Sequence, residues 1–105
     1  MIALALALFL QREPLPYYAD ATSCAALVTA QYQALDERAP QSRAAYDAML
    51  FWSLAMSERA RKDGLTAARF ERDLADATKE AGRRLAAGDP AATADLARCV
   101  ARVPR

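Results

Sequence analysis

Histidine is absent from this 105-residue chain, and its absence removes most familiar catalytic and metal sites. Without His, the chain cannot supply a Ser-His-Asp or Cys-His unit, a His metal ligand, or an unperturbed side chain that titrates near neutral pH. The carboxylates of Asp73, Asp76 and Glu80 fall at helical spacing, but basic residues lie nearby, which is typical of a solvated helix face. We therefore expect no enzyme activity, no cofactor and no metal site.

A large excess of one charge is also missing. Fourteen basic side chains against 13 acidic ones give a formal net charge of +1. A nucleic-acid-binding domain is normally strongly and asymmetrically basic, because it must attract phosphate groups. We expect no nucleic-acid partner.

The longest apolar run, Met1 to Leu10, is too short to span a bilayer, which takes about 20 residues. Its length fits the apolar part of a secretory signal peptide, and Ala19-Asp20-Ala21 is a small-x-small cleavage tripeptide. We predict a signal peptide over residues 1–21, cleaved after Ala21, and a single domain over 22–105. The alternatives are a short core helix of a cytosolic protein and an uncleaved anchor.

Twelve Arg against two Lys, with 27 Ala, are typical of a GC-rich bacterial genome. Together with the signal peptide, this composition predicts a periplasmic or secreted protein with no stable membrane insertion after cleavage.

Glycine and proline are few, and they fall almost entirely where helices should begin or end. They divide the mature chain into four helical segments, at about 22–38, 42–63, 66–87 and 89–103. Thr66 and Asp89 are predicted N-caps, and Gly64 and Gly88 are predicted helix ends. Since no segment alternates like a strand, we predict an all-α fold, a small antiparallel up-down-up-down four-helix bundle.

The second segment is apolar on nearly every side between Ala48 and Met56, which predicts that it forms the centre of the core. The alternative is that one side is exposed and serves as a partner surface. Phe51 and Trp52 are adjacent and point about 100 degrees apart, so both cannot face one narrow seam. They are our candidates for a partner contact, although a wide core explains them as well.

The only two cysteines, Cys24 and Cys99, lie near the start of the first segment and near the end of the last. An antiparallel bundle brings these positions to the same end, which predicts a disulfide in an oxidising compartment. Two buried free thiols are the alternative.

These observations favour a non-enzymatic exported protein that binds another protein or a second copy of itself, in a chaperone-like or envelope accessory role. The alternative is a carrier that holds a small apolar ligand in the bundle interior. It predicts an enclosed cavity lined by Met49, Leu54 and Met56.

Overall fold

The computed structural model describes residues 14–104, and its regular structure over that range is helical throughout. The helices are α1 (Tyr18–Ala34), α2 (Ser42–Lys62), α3 (Ala67–Ala86) and α4 (Pro90–Ala101). The predicted all-α class and the number of helices are therefore confirmed for the described part of the chain. Most of the predicted signal peptide falls on residues 1–13, outside the described residues, and its cleavage stays a prediction.

The helix starts and stops follow the local sequence signals. The Thr66 hydroxyl oxygen accepts a hydrogen bond from the Arg69 amide at 3.1 Å, and the Asp89 carboxylate accepts one from the Ala91 amide at 2.9 Å. Gly64 and Gly88 follow α2 and α3 at φ of 74° and 73°, in the left-handed region that glycine adopts without strain. These predicted caps are confirmed. They could be predicted from sequence because each depends only on neighbouring residues.

Helix α1 is displaced from its predicted range of 22–38. It begins at Tyr18, and it ends at Ala34 because Leu35 is extended at φ −82° and ψ 142°. Beyond it, the Asp36 carboxylate accepts a hydrogen bond from the Arg38 amide at 2.9 Å. Such a turn offers the backbone an alternative to the helix, so the chain leaves α1 before Pro40 is reached.

The centre of the core is α1, and the prediction that α2 occupies this place is wrong. Helix α1 packs against α2, α3 and α4. Its buried residues surround the helix and are mostly small: Ala21, Cys24, Ala25, Ala26, Leu27, Val28 and Ala30. Small side chains let three helices approach one axis closely. In α2, by contrast, Leu50 and Leu54 are exposed.

The contacts between α1 and α2 join opposite ends of the two helices. The Arg59 guanidinium, near the end of α2, lies over the ring of Tyr17, just before α1, at 5.4 Å from its centroid. The rings of Tyr32 and Tyr46 lie 5.5 Å apart at the other end. The two helices therefore run antiparallel, while the complete up-down-up-down order stays a prediction.

Helix α3 packs through an apolar stripe of residues spaced by three and four along the helix. Ala81 is buried, and the other stripe residues pack against the core while partly buried: Phe70, Leu74, Ala77 and Leu85. The opposite side of α3 is polar and exposed, as an amphipathic helix at the edge of a small domain requires.

A disulfide joins Cys24 of α1 to Cys99 of α4, with the two sulfurs 2.06 Å and the two Cα atoms 5.4 Å apart. Both cysteines are buried. The predicted pairing is confirmed, and it ties the central helix to the last helix across 75 positions of sequence.

Candidate functional site

Trp52 lies inside the fold, with 1% of its surface exposed. Its indole Nε1 donates a hydrogen bond to the Cys99 carbonyl oxygen at 2.9 Å, and the Arg102 guanidinium lies 4.9 Å from the ring centroid. The indole N–H and the ring face of Trp52 thus both have partners within the chain. The ring of Trp52 joins α2 to α4 beside the disulfide, and its role as a partner contact stays a prediction.

Phe51 has a different environment from its neighbour. It is half-buried, packs against the core, and meets the Trp52 ring edge to face with centroids 5.3 Å apart. The remaining exposed part of Phe51 leaves its role as a partner contact a prediction.

The outer side of α2 carries the largest apolar exposure on the described helices. Tyr46 is 41% exposed, Leu50 43% and Leu54 59%. These three residues, which we call the α2 surface, are spaced by four along the helix and so share one face. Arg43, Asp47 and Ser57 border them and are exposed. The result is an apolar strip with a polar rim, which is the common anatomy of a protein contact.

The distribution of small and large side chains in α2 explains why this strip faces water. The side towards α1 includes Ala45, Ala48 and Ala55, all buried, together with Trp52. Because that side is built from alanine, α2 lies close to α1 and its bulkier leucines remain outside. The apolar sequence of α2 predicted burial on every side, but it did not reveal that α1 already fills the centre.

A groove of about 790 Å³ lies between α1 and α3 and is open to solvent. Thr29 and Ala30 of α1 line it opposite Phe70, Leu74 and Gly82 of α3, among others. The hydroxyls of Thr29 and Thr78 border this groove, and neither has a hydrogen-bond partner among the described residues. We call this feature the α1–α3 groove.

The lining predicted for an enclosed ligand cavity does not form. Leu54 faces solvent, whereas Met56 is fully buried and Met49 packs partly buried against the core. Met49 and Met56, seven positions apart, share the side of α2 that faces the core, whereas Leu54 lies on the outer side and cannot line an interior cavity with them. The volume of the α1–α3 groove lies within the range of small-ligand sites.

The three carboxylates of α3 have separate partners. Asp73 accepts a hydrogen bond from the Tyr18 hydroxyl at 2.8 Å and lies 3.5 Å from the Arg69 guanidinium. Arg83 pairs with Glu80 and holds the pKa of that exposed carboxyl below its usual range. Asp76 is exposed. The three carboxyl groups thus have separate surroundings on α3 and do not form a pair.

Within residues 14–104, no three His, Cys, Asp or Glu side chains come together as a metal site would need. None of the described helices combines the length and apolar character needed to cross a membrane. The expected lack of metal, cofactor and catalysis stays a prediction.

No protein-family model matches the chain, and neither a curated protein nor a solved structure matches it significantly.

Proposed function

We propose that this chain is exported by a signal in its first 21 residues and acts outside the cytoplasm by binding another protein through the α2 surface. The exposed strip of Tyr46, Leu50 and Leu54 is the observation that carries the proposal. In this role the protein is an accessory or chaperone-like factor of a bacterial envelope, without catalytic activity.

The geometry of the strip suits docking into a partner groove. Aromatic and leucine side chains repeated along one helix face are the anchors by which amphipathic helices bind apolar grooves. Trp52 lies on the buried side of α2, opposite this strip. The Cys99 carbonyl and the Arg102 guanidinium hold Trp52 in place. A surface that is already ordered loses little conformational entropy on binding, so a modest area contributes more to affinity.

The disulfide supports the exported location. Structural disulfides persist in oxidising compartments and are rare in the cytosol, where thiols are kept reduced. Cys24 and Cys99 are paired and buried in the core, which is the position of a structural bond rather than a catalytic one.

Capture experiments with matched variants test the proposal. The oxidised protein is immobilised, and proteins retained from a periplasmic extract of the source organism are quantified by mass spectrometry. We expect Leu54→Glu to reduce retention of the specific partner at least about tenfold, which corresponds to roughly 1.4 kcal/mol of binding. Since Leu54 is exposed, this substitution should leave thermal stability nearly unchanged.

Ala94→Glu is the matched control, because it adds the same charge at an exposed position of α4 without altering the α2 surface. It should retain the partner as the unaltered protein does. Equal retention by the unaltered protein and Leu54→Glu, or no specific partner for either, would contradict protein binding through this surface.

The α1–α3 groove favours a second candidate function, transport or storage of a small apolar ligand. Its volume lies within the range of ligand sites, and Phe70 and Leu74 give it an apolar wall. Titration with an apolar fluorescent dye tests this candidate. Saturable binding that Leu74→Ala weakens and Leu54→Glu leaves unchanged is the expected result, and the absence of saturable binding would end it.

A further inference from the structure

The α1–α3 groove has an apolar part and a polar part. Along α3, its wall includes Phe70 and Leu74, which pack partly buried against the core and present an apolar surface. Further along the same helix, the lining becomes polar at Thr78 and Lys79. At a rise of about 1.5 Å per residue, the distance along the helix from Phe70 to Thr78 is about 12 Å. The groove is therefore long enough to hold an alkyl chain beside a polar group.

Two hydroxyls in the polar part of the groove have unused hydrogen-bonding capacity. A Cβ added at Gly82, one turn beyond Thr78, would lie 3.9 Å from the Ala30 Cβ, so Thr29 belongs to the same part of the groove as Thr78. The hydroxyl oxygens of both threonines are buried, and neither has a partner among the described residues. Such a hydroxyl is destabilising, because it has lost its hydrogen bonds to water. Helical threonine adopts two side-chain rotamers, so a rotation can present either hydroxyl to a ligand oxygen.

The two charged residues of the groove lining lie apart and have opposite signs. Lys79 belongs to the polar part, is exposed, and forms no ion pair with another described residue. Glu71 is next to Phe70, about two helical turns from Lys79, and is exposed as well. An anion is therefore attracted to the end of the groove at Lys79 and repelled from the end at Glu71.

We propose that the α1–α3 groove binds an anionic amphiphile, a single alkyl chain that ends in a carboxylate. The alkyl chain lies against Phe70 and Leu74, which removes its apolar surface from water. The carboxylate accepts hydrogen bonds from the Lys79 ammonium and from a threonine hydroxyl, and bonds of this charged kind are stronger than neutral ones. Repulsion by Glu71 fixes the direction of the ligand. The inference rests on the second candidate function and names the class of its ligand.

Displacement of the apolar fluorescent dye from the oxidised protein tests this inference. The competitors are decanoate, decanol and decylamine, which share one alkyl chain and are used below the concentrations at which they form micelles. We expect decanoate to bind about three- to fivefold more tightly than decanol, the range that an exposed ion pair contributes, and decylamine to bind most weakly. Binding of decanoate no tighter than that of the other two overturns the inference but leaves the candidate function standing. The absence of saturable dye binding contradicts both.

The only two lysines of the chain provide matched variants. Lys79→Gln should weaken decanoate binding about three- to fivefold and leave the binding of decanol and the dye unchanged. Lys62→Gln removes the same charge at the end of α2, outside the groove lining, and should leave decanoate binding unchanged. Both lysines are exposed, so neither substitution should alter the melting temperature much. Equal weakening of decanoate by the two variants would show an effect of net charge alone and overturn the inference.

Discussion

Trp52 is the largest fully buried side chain among the described residues. Its hydrogen bond to the Cys99 carbonyl joins α2 to α4 inside the core. We expect Trp52→Phe to lower the free energy of unfolding by about 1 to 3 kcal/mol, because a buried carbonyl loses a donor and a smaller ring fills the site. Urea unfolding of the oxidised protein measures the change.

Leu54→Ala is the control for this prediction, since it trims an exposed residue of the same helix. Its effect should stay within about 0.5 kcal/mol. If Trp52→Phe is as stable as the unaltered protein, the hydrogen bond does not contribute as described.

The Asp89 carboxylate makes the stability of the fold depend on pH. The Arg84 guanidinium at 2.9 Å and the Ala91 amide both hold the pKa of the Asp89 carboxyl below its usual value. Because the folded pKa is lowered, the contribution to stability is complete above the unfolded pKa of about 3.9 and is lost as pH falls below it. Asn caps helices equally well but carries no charge.

We therefore expect Asp89→Asn to be less stable than the unaltered protein at pH 7, with the difference fading by pH 3. Urea midpoints at the two pH values measure this. A difference that stays constant with pH would contradict the lowered pKa.

At the scale of elements, we expect substitution by alanine to have opposite effects on stability at Gly64 and Gly82. Gly64 has φ of 74°, and any side chain there is strained. Gly64→Ala should cost about 1 to 2 kcal/mol of stability. Gly82 lies inside α3, where an added Cβ would contact the Ala30 Cβ at an ordinary 3.9 Å. Gly82→Ala should add up to about 1 kcal/mol through helix propensity.

Thermal unfolding of the two variants, compared with the unaltered protein, checks this pair. A loss of stability in Gly82→Ala would show that α1 and α3 lie closer together than described. No loss in Gly64→Ala would show that the turn after α2 does not need its left-handed residue.

The helices themselves were largely predictable, because their boundaries depend on neighbouring residues. The caps at Thr66 and Asp89 are examples. The arrangement of the helices was harder to predict, because apolar residues lie on all sides of an alanine-rich helix such as α1. Its small side chains gave no sign that it would be central, so the sequence could not decide between an α2 that is buried all round and an α2 with one exposed face.

At the scale of the whole molecule, the disulfide compensates for a core with few large side chains. Trp52, Leu27, Met56 and Val28 are its largest fully buried members. Closing a loop across 75 positions contributes about 4 to 5 kcal/mol on the chain-entropy model. We expect the double variant Cys24→Ala and Cys99→Ala to lose most of this amount in urea unfolding.

The matching control is the unaltered protein unfolded in reductant, which should behave like the double variant. Equal stability of the oxidised protein and the double variant would mean that the disulfide forms in the folded protein without stabilising it.

The central position of α1 leaves one face of α2 free for a partner. Native-state hydrogen exchange of the oxidised protein, followed at single amides, tests that claim directly. We predict the slowest exchange at Cys24 to Val28, where α1 is buried on every side. Slowest exchange between Ala48 and Met56, with α1 exchanging early, would contradict the account.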